Sequence, residues 1–194
     1  MRTLVVVTHP VPTSLTRAAF SRVLAGLARS GDELRVIDLD EECFNPCLTI
    51  DEKRRHLDPP ETKPQIADHV AALRWAERIV LVYPTWFGGF PARLKGWFDR
   101  AWATSVAYQL PEGSTRVRAG LRNIRRVEVV TSHGSPRYMN MIQGNPGKLT
   151  IHRSVRFVCH PLCRIRFKAI YGLDDAEPST IENWLDQVED HYAG

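Results

Sequence analysis

The chain has 194 residues, of which 43% are hydrophobic and 25% charged, which is typical of one globular domain and excludes a fibrous or disordered class. No apolar run approaches the roughly 18 residues of a membrane span, and the short first run lacks a cleavage site, so we expect a cytoplasmic protein without membrane insertion. The net charge is +4, but the basic residues are scattered (RNIRR, RSVRF, RIRFK), which favours a solvated basic face over a nucleic-acid site.

Apolar, β-branched runs alternate with amphipathic segments along the whole chain. Five runs are predicted to be strands: TLVVVT, whose continuous β-branched sequence is typical of a buried parallel strand, then ELRVIDL, RIVLVY, RRVEVVTS and RIRFKAIYG. Helices are predicted at 15–29, 64–77, 93–102 and 148–158, and a last one is expected after a capping box formed by Ser179 and Glu182. The polar stretch 40–63 between the second strand and the second helix is interpreted as a long connection.

This alternation predicts an α/β fold in which helices cover both faces of a parallel sheet. Five strands with right-handed crossovers favour a flavodoxin-like three-layer sandwich of strand order 2-1-3-4-5, in one domain spanning residues 1–194. Ligands of such sheets bind beyond the carboxyl ends of the strands. The loops after strands one, three and four, HPVPTSLTRA, PTWFGGFPA and SHGSPRYMN, are therefore the predicted functional edge.

The first loop opens a helix with hydroxyl side chains. Ser14 or Thr13 can cap the helix, Thr16 lies in its first turn, and His9 can donate from its ring. Free backbone N–H groups at a helix start form an anion site, although an ordinary N-cap is the simpler interpretation. Because the chain has neither G-x-G-x-x-G nor G-x-x-x-x-G-K-[ST], a phosphate here would be held by hydroxyls.

The loop after the third strand is aromatic and rich in glycine and proline. Trp86 and Phe87 can lie along a flat heterocycle, and Gly88 and Gly89 permit close approach of the backbone. Core packing is the alternative for these rings. It is the prediction for the aromatic residues that follow Leu94 at helical spacing, namely Trp97, Phe98 and Trp102.

The loop after the fourth strand is small and polar. Its backbone N–H groups, between Thr131 and Ser135, can stabilise negative charge on a bound ring. His133 is a candidate proton donor, since its ordinary pKa lies near neutrality, and a solvated loop histidine is the alternative. The cysteines form two C-x3-C pairs, Cys43/Cys47 and Cys159/Cys163; zinc is conceivable at this spacing, but we expect free thiols and no metal.

Four segments together resemble the NAD(P)H dehydrogenase (quinone) family, the DT-diaphorase-like flavoproteins, over nearly the whole chain. They are THPVPTSLTRA, DLDEECFNPCLT, YPTWFGGFPARLKGWFDRAW, and TSHGSPRY with QGNPGK. The resemblance implies a tightly held flavin, NAD(P)H as cosubstrate, and two-electron reduction of a small-molecule quinone in a ping-pong cycle. It also implies a homodimer, and it favours FMN, with FAD possible, because the sequence has no long C-terminal region of the kind that accompanies FAD.

The resemblance assigns residues by position. The flavin-binding residues are His9, Ser14, Leu15 and Thr16 on the phosphate side, Pro84, Thr85, Trp86, Phe87 and Gly88 along the ring, and Thr131, Ser132, His133 and Gly134 at its far edge. The catalytic candidates are His133 and Tyr138. Gly88 and His133 depart from the residues frequent in relatives, which leaves the pocket shape and the acceptor open.

The resemblance leaves other functions open. A nitro-, azo- or flavin reductase has the same fold, and some relatives are flavin-bearing regulatory subunits of potassium-efflux systems. A one-electron carrier is disfavoured, because such carriers are typically acidic. The segment 104–118 is expected to border the pocket, with no roles assigned to its residues.

Overall fold

The computed structural model describes residues 1–55, 57–58, 64–102, 105–109 and 116–194. In chain order the elements are β1 (Arg2–Val7), α1 (Leu15–Ser30), β2 (Glu33–Asp38), α2 (Ile50–Arg54), a 3-10 turn (Pro64–Ile66), α3 (Ala67–Trp75), β3 (Arg78–Pro84), α4 (Ala92–Ala101), β4 (Tyr108–Gln109), β5 (Arg118–Ala119), β6 (Arg126–Ser132), α5 (Arg137–Ile142), α6 (Pro146–Thr150), a π-helical stretch (Ile151–Val155), α7 (Arg156–Val158), β7 (Arg164–Ile170), a 3-10 turn (Leu173–Asp175) and α8 (Pro178–Ala193). Residues 104 and 110–115 of the segment expected to border the pocket lie outside the described residues.

The main sheet is parallel and has the order β2-β1-β3-β6-β7. This is the predicted order 2-1-3-4-5, since β4 and β5 form a separate two-stranded hairpin. Successive side chains of a strand point to opposite faces. Val5 and Val7 of β1 therefore lie in the cluster under α1 and α8, whereas Leu4 and Val6 lie in the cluster on the other face.

The predicted aromatic core on α4 is confirmed. Trp97 is fully buried and Trp102 is 6% exposed, while Phe98 packs against them from the edge of the same cluster. These rings anchor the helix that follows the loop after β3, which is called the third loop below. The loop thus connects a central buried strand, β3, to a helix, α4, that packs in the core.

Two helix starts differ from the prediction. Glu177 rather than Ser179 caps α8, without a side-chain hydrogen bond, because Pro178 occupies the first helical position. A true capping box lies in the segment expected to be a plain connection. There Thr49 accepts from the backbone N–H of Glu52 and the Glu52 carboxylate accepts from that of Thr49, at the start of α2.

Among the described residues, no helix has both the length and the apolar character that crossing a membrane requires.

Candidate functional site

Backbone hydrogen bonds extend the sheet past the ends of its strands and bring the predicted loops together. The N–H of Thr8 donates to Val82 over 3.1 Å, and that of Thr85 donates to Ser132 over 2.9 Å. The N–H of His133 donates to Ile170 over 2.9 Å. The loops after β1, β3, β6 and β7 therefore begin side by side at the carboxyl edge of the sheet, as predicted for the first three.

The first loop presents hydrogen-bond donors at the start of α1. Ser14 caps the helix by accepting from the backbone N–H of Arg17 over 3.3 Å, and Thr16 is buried in the first turn. His9 Nδ1 accepts from the backbone N–H of Val11 over 3.1 Å. Because Nδ1 accepts, Nε2 is the ring nitrogen left as a donor.

An ion pair that the sequence did not reveal fixes this loop. Arg17 donates from Nε and Nη2 to the carbonyl oxygen of His9 over 3.1 and 3.0 Å, and it also pairs with the Asp38 carboxylate at the end of β2. Burial disfavours the charge on Asp38, but the hydrogen bonds from Arg17 and from the N–H of Glu41 outweigh it and lower the pKa of the carboxyl. A basic residue one turn into a helix gives no sequence signal for such a role.

The third loop contains a tight turn with exposed rings. The N–H of Gly89 donates to the carbonyl of Trp86 over 2.9 Å, and that of Trp86 donates to Gly89 over 3.2 Å. Phe87 and Gly88 have φ angles of 48° and 73°, which defines a type I′ turn. Phe87 is fully exposed and Trp86 is 46% exposed, so neither ring belongs to the core.

A phenylalanine in the left-handed region is strained. Such a conformation costs a residue other than glycine roughly 1–2 kcal/mol, and a bulky side chain there is rare. Phe87 recovers none of this through burial. Backbone strain of this kind collects at ligand sites, where the surrounding structure enforces it. The edge of the His9 ring faces Trp86 at a centroid distance of 5.9 Å, which brings the first loop against the turn.

His133 lies in the loop after β6, which is called the fourth loop below, between hydroxyl groups and an aromatic ring. Its Nε2 lies 3.4 Å from Thr85 Oγ1, which in turn is 3.0 Å from Thr131 Oγ1. The ring stacks on Tyr171 with centroids 4.4 Å apart and planes 14° apart. Burial lowers the pKa of His133, so the imidazole is neutral at pH 7. Its Nδ1 is buried and receives no hydrogen bond of good geometry from the described residues, although the nearby Asn140 side chain offsets part of the lowering of the pKa.

Gly134, beside this histidine, lies close to the exposed side chain of Asp174. A side chain at Gly134 would meet the Asp174 carboxylate at 2.9 Å, closer than real contacts of a Cβ atom. The small residue keeps the loop narrow.

A small cavity of about 20 Å³ joins the third and fourth loops. Thr85, Gly88, Gly89, Thr131 and His133, which the sequence singled out, line it, together with residues to which the sequence assigned no role: Tyr83, Asn140, Asn145, Gly147, Lys148, Phe167 and Tyr171. Tyr138 is exposed on α5 and does not line the cavity, so its catalytic role stays a prediction. Tyr171 ends the last strand run, a position that gives no signal for a site.

The remaining predicted residues lie at the same edge. Pro84 and Ser132 are buried at the paired ends of β3 and β6, and Leu15 begins α1 beside Ser14. The donor set suits a planar ligand that carries a phosphate. A helix start with hydroxyls stands at one end, exposed aromatic rings lie in the middle, and a buried ring nitrogen without a partner lies at the other end.

Comparison with known proteins agrees with this fold. A protein of Haemophilus influenzae, named an uncharacterized NAD(P)H oxidoreductase, is 32% identical over 138 residues, which are 70% of this chain and 65% of that protein. The chain spans about half to two thirds of the length of the first curated relatives it matches.

Two solved structures superpose over the whole chain. One is an NAD(P)H:quinone oxidoreductase from Methanothermobacter marburgensis, with a TM-score of 0.81, 20% identity and 98% of its chain covered. Another is an FMN-dependent NADH-azoreductase from Bacillus anthracis in complex with FMN, with a TM-score of 0.76, 15% identity and 98% of its chain covered. Residues 1–191 match the model of the second flavodoxin family, described as a flavodoxin-like fold, and the chain belongs to that family.

Proposed function

We propose that this protein is an FMN-dependent NAD(P)H:quinone oxidoreductase that works by two-electron hydride transfer in a ping-pong cycle. The observation that carries the proposal is the strained turn at Phe87, which exposes its own ring and that of Trp86 between two polar loops. Such a turn does not stabilise the fold, whereas its exposed aromatic rings would stabilise a flat apolar ring bound against them. The names of the curated relatives support NAD(P)H and quinones as the substrates.

The first loop would bind the phosphate of FMN. The N–H groups of Leu15 and Thr16 point from the start of α1, where the helix dipole favours an anion. The hydroxyls of Ser14 and Thr16 and His9 Nε2 add donors. Arg17 holds the loop in place through the His9 carbonyl and Asp38, and thus keeps these donors oriented before the ligand arrives.

The third and fourth loops would position the ring system. Trp86 and Phe87 provide the apolar surface, and Gly88 leaves room for the ring edge. The N–H of Gly134 would stabilise negative charge at the far edge, because the N–H of His133 is already used by the carbonyl of Ile170. Because burial keeps His133 neutral, its ring donates a hydrogen bond there rather than a full positive charge.

When bound, FMN would supply the hydride chemistry that links NAD(P)H to the acceptor. With Trp86 and Phe87 against one face of the ring, the opposite face would stay open for the nicotinamide and then the quinone to stack on. We further propose a homodimer with one FMN-binding domain per chain. An open groove of about 420 Å³ beside the third loop, lined in part by Phe90, Phe98 and Tyr108, offers a surface for the second copy.

Reconstitution with FMN tests the proposal. Purified protein mixed with FMN and then desalted is expected to stay yellow, with about one flavin per chain. A panel of a quinone, an azo dye, a nitroaromatic and free FMN then identifies the acceptor, and the quinone is expected to give the highest kcat/KM. A colourless protein after desalting refutes the flavin site. A yellow protein that prefers the azo dye refutes only the assigned acceptor.

A further inference from the structure

The basic residues of this chain are concentrated in one region. Residues 116–172 hold twelve of the 26 Lys and Arg residues but one of the 22 Asp and Glu residues, namely Glu128, which is buried on β6. The rest of the chain is therefore acidic on balance, although the net charge is only +4. The short basic runs that look scattered in the sequence thus belong to one strongly charged part of the molecule.

The fold gathers four of these arginines around a cleft. The N–H of Leu121 donates to the carbonyl of Val158 over 2.9 Å, and Leu121 also forms a β-bridge with Cys159. This pairing places the segment before β6 beside the end of α7. The result is an open cleft of about 610 Å³, here called the arginine cleft, whose charged or titratable lining residues are Arg118, Arg122, His152, Arg153 and Arg156.

Within the described part of the chain, these arginines have no acidic partner. No described Asp or Glu lines the arginine cleft, and none of the four guanidinium groups has a described carboxylate within 4 Å. All four side chains are exposed. By contrast Arg17, Arg78 and Arg100 each pair with an acidic residue. On an ordinary solvated face, positive and negative charges are interspersed. The excess of positive charge in this cluster therefore favours the binding of an anion from outside the chain.

The chemistry of the cleft favours phosphate. Guanidinium groups bind phosphate oxygens through two parallel N–H donors, and the cleft uses arginine at all four basic positions rather than lysine. Its volume falls within the usual range for small ligands, roughly 300–1,000 Å³. Phe157, 59% exposed on the same wall, adds an apolar surface. Four cations around one cleft suit an anion with several charges better than a single phosphate.

The arginine cleft adjoins the candidate flavin site but is lined by different residues. The ring of His152, which lines the cleft, stacks on Phe167, which lines the cavity between the third and fourth loops, with centroids 5.5 Å apart. The four arginines line the cleft, and none of them lines that cavity.

We propose that the arginine cleft binds a polyanion carrying two or more phosphate groups, either free in solution or as a lipid headgroup. The surroundings of His152 support a strong positive potential there. Burial lowers the pKa of His152, and the charges of Lys148 and Arg156 lower it further. A bound polyphosphate would counter these charges and raise the pKa of that ring.

Calorimetric titration of the full chain with tripolyphosphate tests the proposal. We expect one site per chain that persists at about 0.15 M salt, where exposed charges more than roughly 8 Å apart are screened. Arg153→Gln combined with Arg156→Gln should weaken binding by about tenfold or more, because two charge-assisted contacts are lost.

Arg54→Gln combined with Arg164→Gln is the matched control, since it removes the same charge from exposed positions outside the cleft. This variant should change the dissociation constant by no more than about twofold. Equal weakening in both double variants, or binding that vanishes at about 0.15 M salt, would show a diffuse field instead of a site and overturn the proposal.

Two further readouts complete the test. In an NMR titration the pKa of His152 should rise on adding tripolyphosphate to the wild type but not to the Arg153/Arg156 double variant; no change in the wild type counts against the cleft. Flotation with cardiolipin vesicles, compared with phosphatidylcholine vesicles, distinguishes the two sources. Cardiolipin binding that tripolyphosphate displaces indicates a headgroup, and its absence beside tripolyphosphate binding indicates a free anion. If the protein binds the vesicles but does not bind tripolyphosphate, the proposal is contradicted.

Discussion

Trp86 and Gly89 exchange two backbone hydrogen bonds, of 2.9 and 3.2 Å, and so close a turn whose two central residues both have positive φ. One of these residues is Phe87, whose side chain touches solvent on all sides. The turn lies between the His9 ring on one side and the loop of α6 on the other, where Gly147 approaches Gly89. Its conformation is therefore imposed on Phe87 by its surroundings.

Phe87→Asn is expected to stabilise the protein and weaken FMN binding at once. Asparagine tolerates the left-handed region, so the free energy of unfolding should rise by about 0.5–1 kcal/mol, with no buried surface lost. Urea denaturation and quenching of FMN fluorescence measure the two effects. Phe87→Leu is the control, because it removes the ring but keeps the strain. A loss of stability in Phe87→Asn would show that the ring supports the fold.

Trp86→Ala and Trp97→Ala should separate binding from stability. Trp86→Ala is expected to raise the dissociation constant for FMN by about tenfold, since a ring contact contributes roughly 0.5–1.5 kcal/mol. Trp97 is fully buried, so Trp97→Ala should lower the free energy of unfolding by about 3–5 kcal/mol. Both quantities are measured for both variants. Identical behaviour of the two variants would contradict the division of the aromatic residues into a ligand surface and a core.

Asp38→Asn should loosen the first loop in a pH-dependent way. The pKa of Asp38 is lowered in the folded protein, so its stabilisation is complete above the ordinary carboxyl pKa of about 4 and disappears as the pH falls through the folded value. At pH 7 we expect a loss of about 1–2 kcal/mol, because solvent partly screens the pair with Arg17.

Urea midpoints at neutral and strongly acidic pH measure this difference between the wild type and Asp38→Asn. Asp40→Asn, which changes a neighbouring carboxylate that does not contact Arg17, is the control. A difference that stays constant down to strongly acidic pH would disprove the role of the Asp38 charge.

Tyr171→Ala should raise the pKa of His133 towards its ordinary value of about 6.5, since the stacked ring is part of the burial that lowers it. The C2 proton of His133 reports this in an NMR titration. In the wild type the unfolded chain takes up a proton near pH 6.5 while folded His133 does not, so stability falls as the pH drops below that value. Tyr171→Phe retains the stack and should leave the pKa low; an unchanged pKa in Tyr171→Ala would assign the shift to other neighbours.

The sheet could be predicted because β1 and β3 are continuous apolar runs, the strands alternate with helices, and right-handed crossovers then leave few strand orders. The short elements could not. Helix α5 has the sequence RYMNMI, without a helical period of apolar residues, and β4 and β5 have two residues each. Residues 64–66 begin the predicted second helix as a 3-10 turn, and a π-helical stretch interrupts the segment predicted as 148–158.

In the candidate site, too, some residues could be predicted from the sequence and others could not. Loop position identified Trp86, Phe87 and His133, since the ends of parallel strands meet at one edge. Arg17 and Tyr171 act through contacts with residues distant in sequence, Asp38 and His133, and no local pattern marks such pairs. The arginine cleft was missed for the same reason, because Arg122 and Arg156 meet only through the pairing of Leu121 with Val158.

The central claim is tested most directly by one anaerobic absorbance titration of the FMN-reconstituted, desalted protein. We expect a flavin spectrum that one equivalent of NADH or NADPH bleaches in a single two-electron phase, and that one equivalent of a quinone restores. A protein that retains no flavin, or a bound flavin that neither nucleotide reduces, would contradict the account.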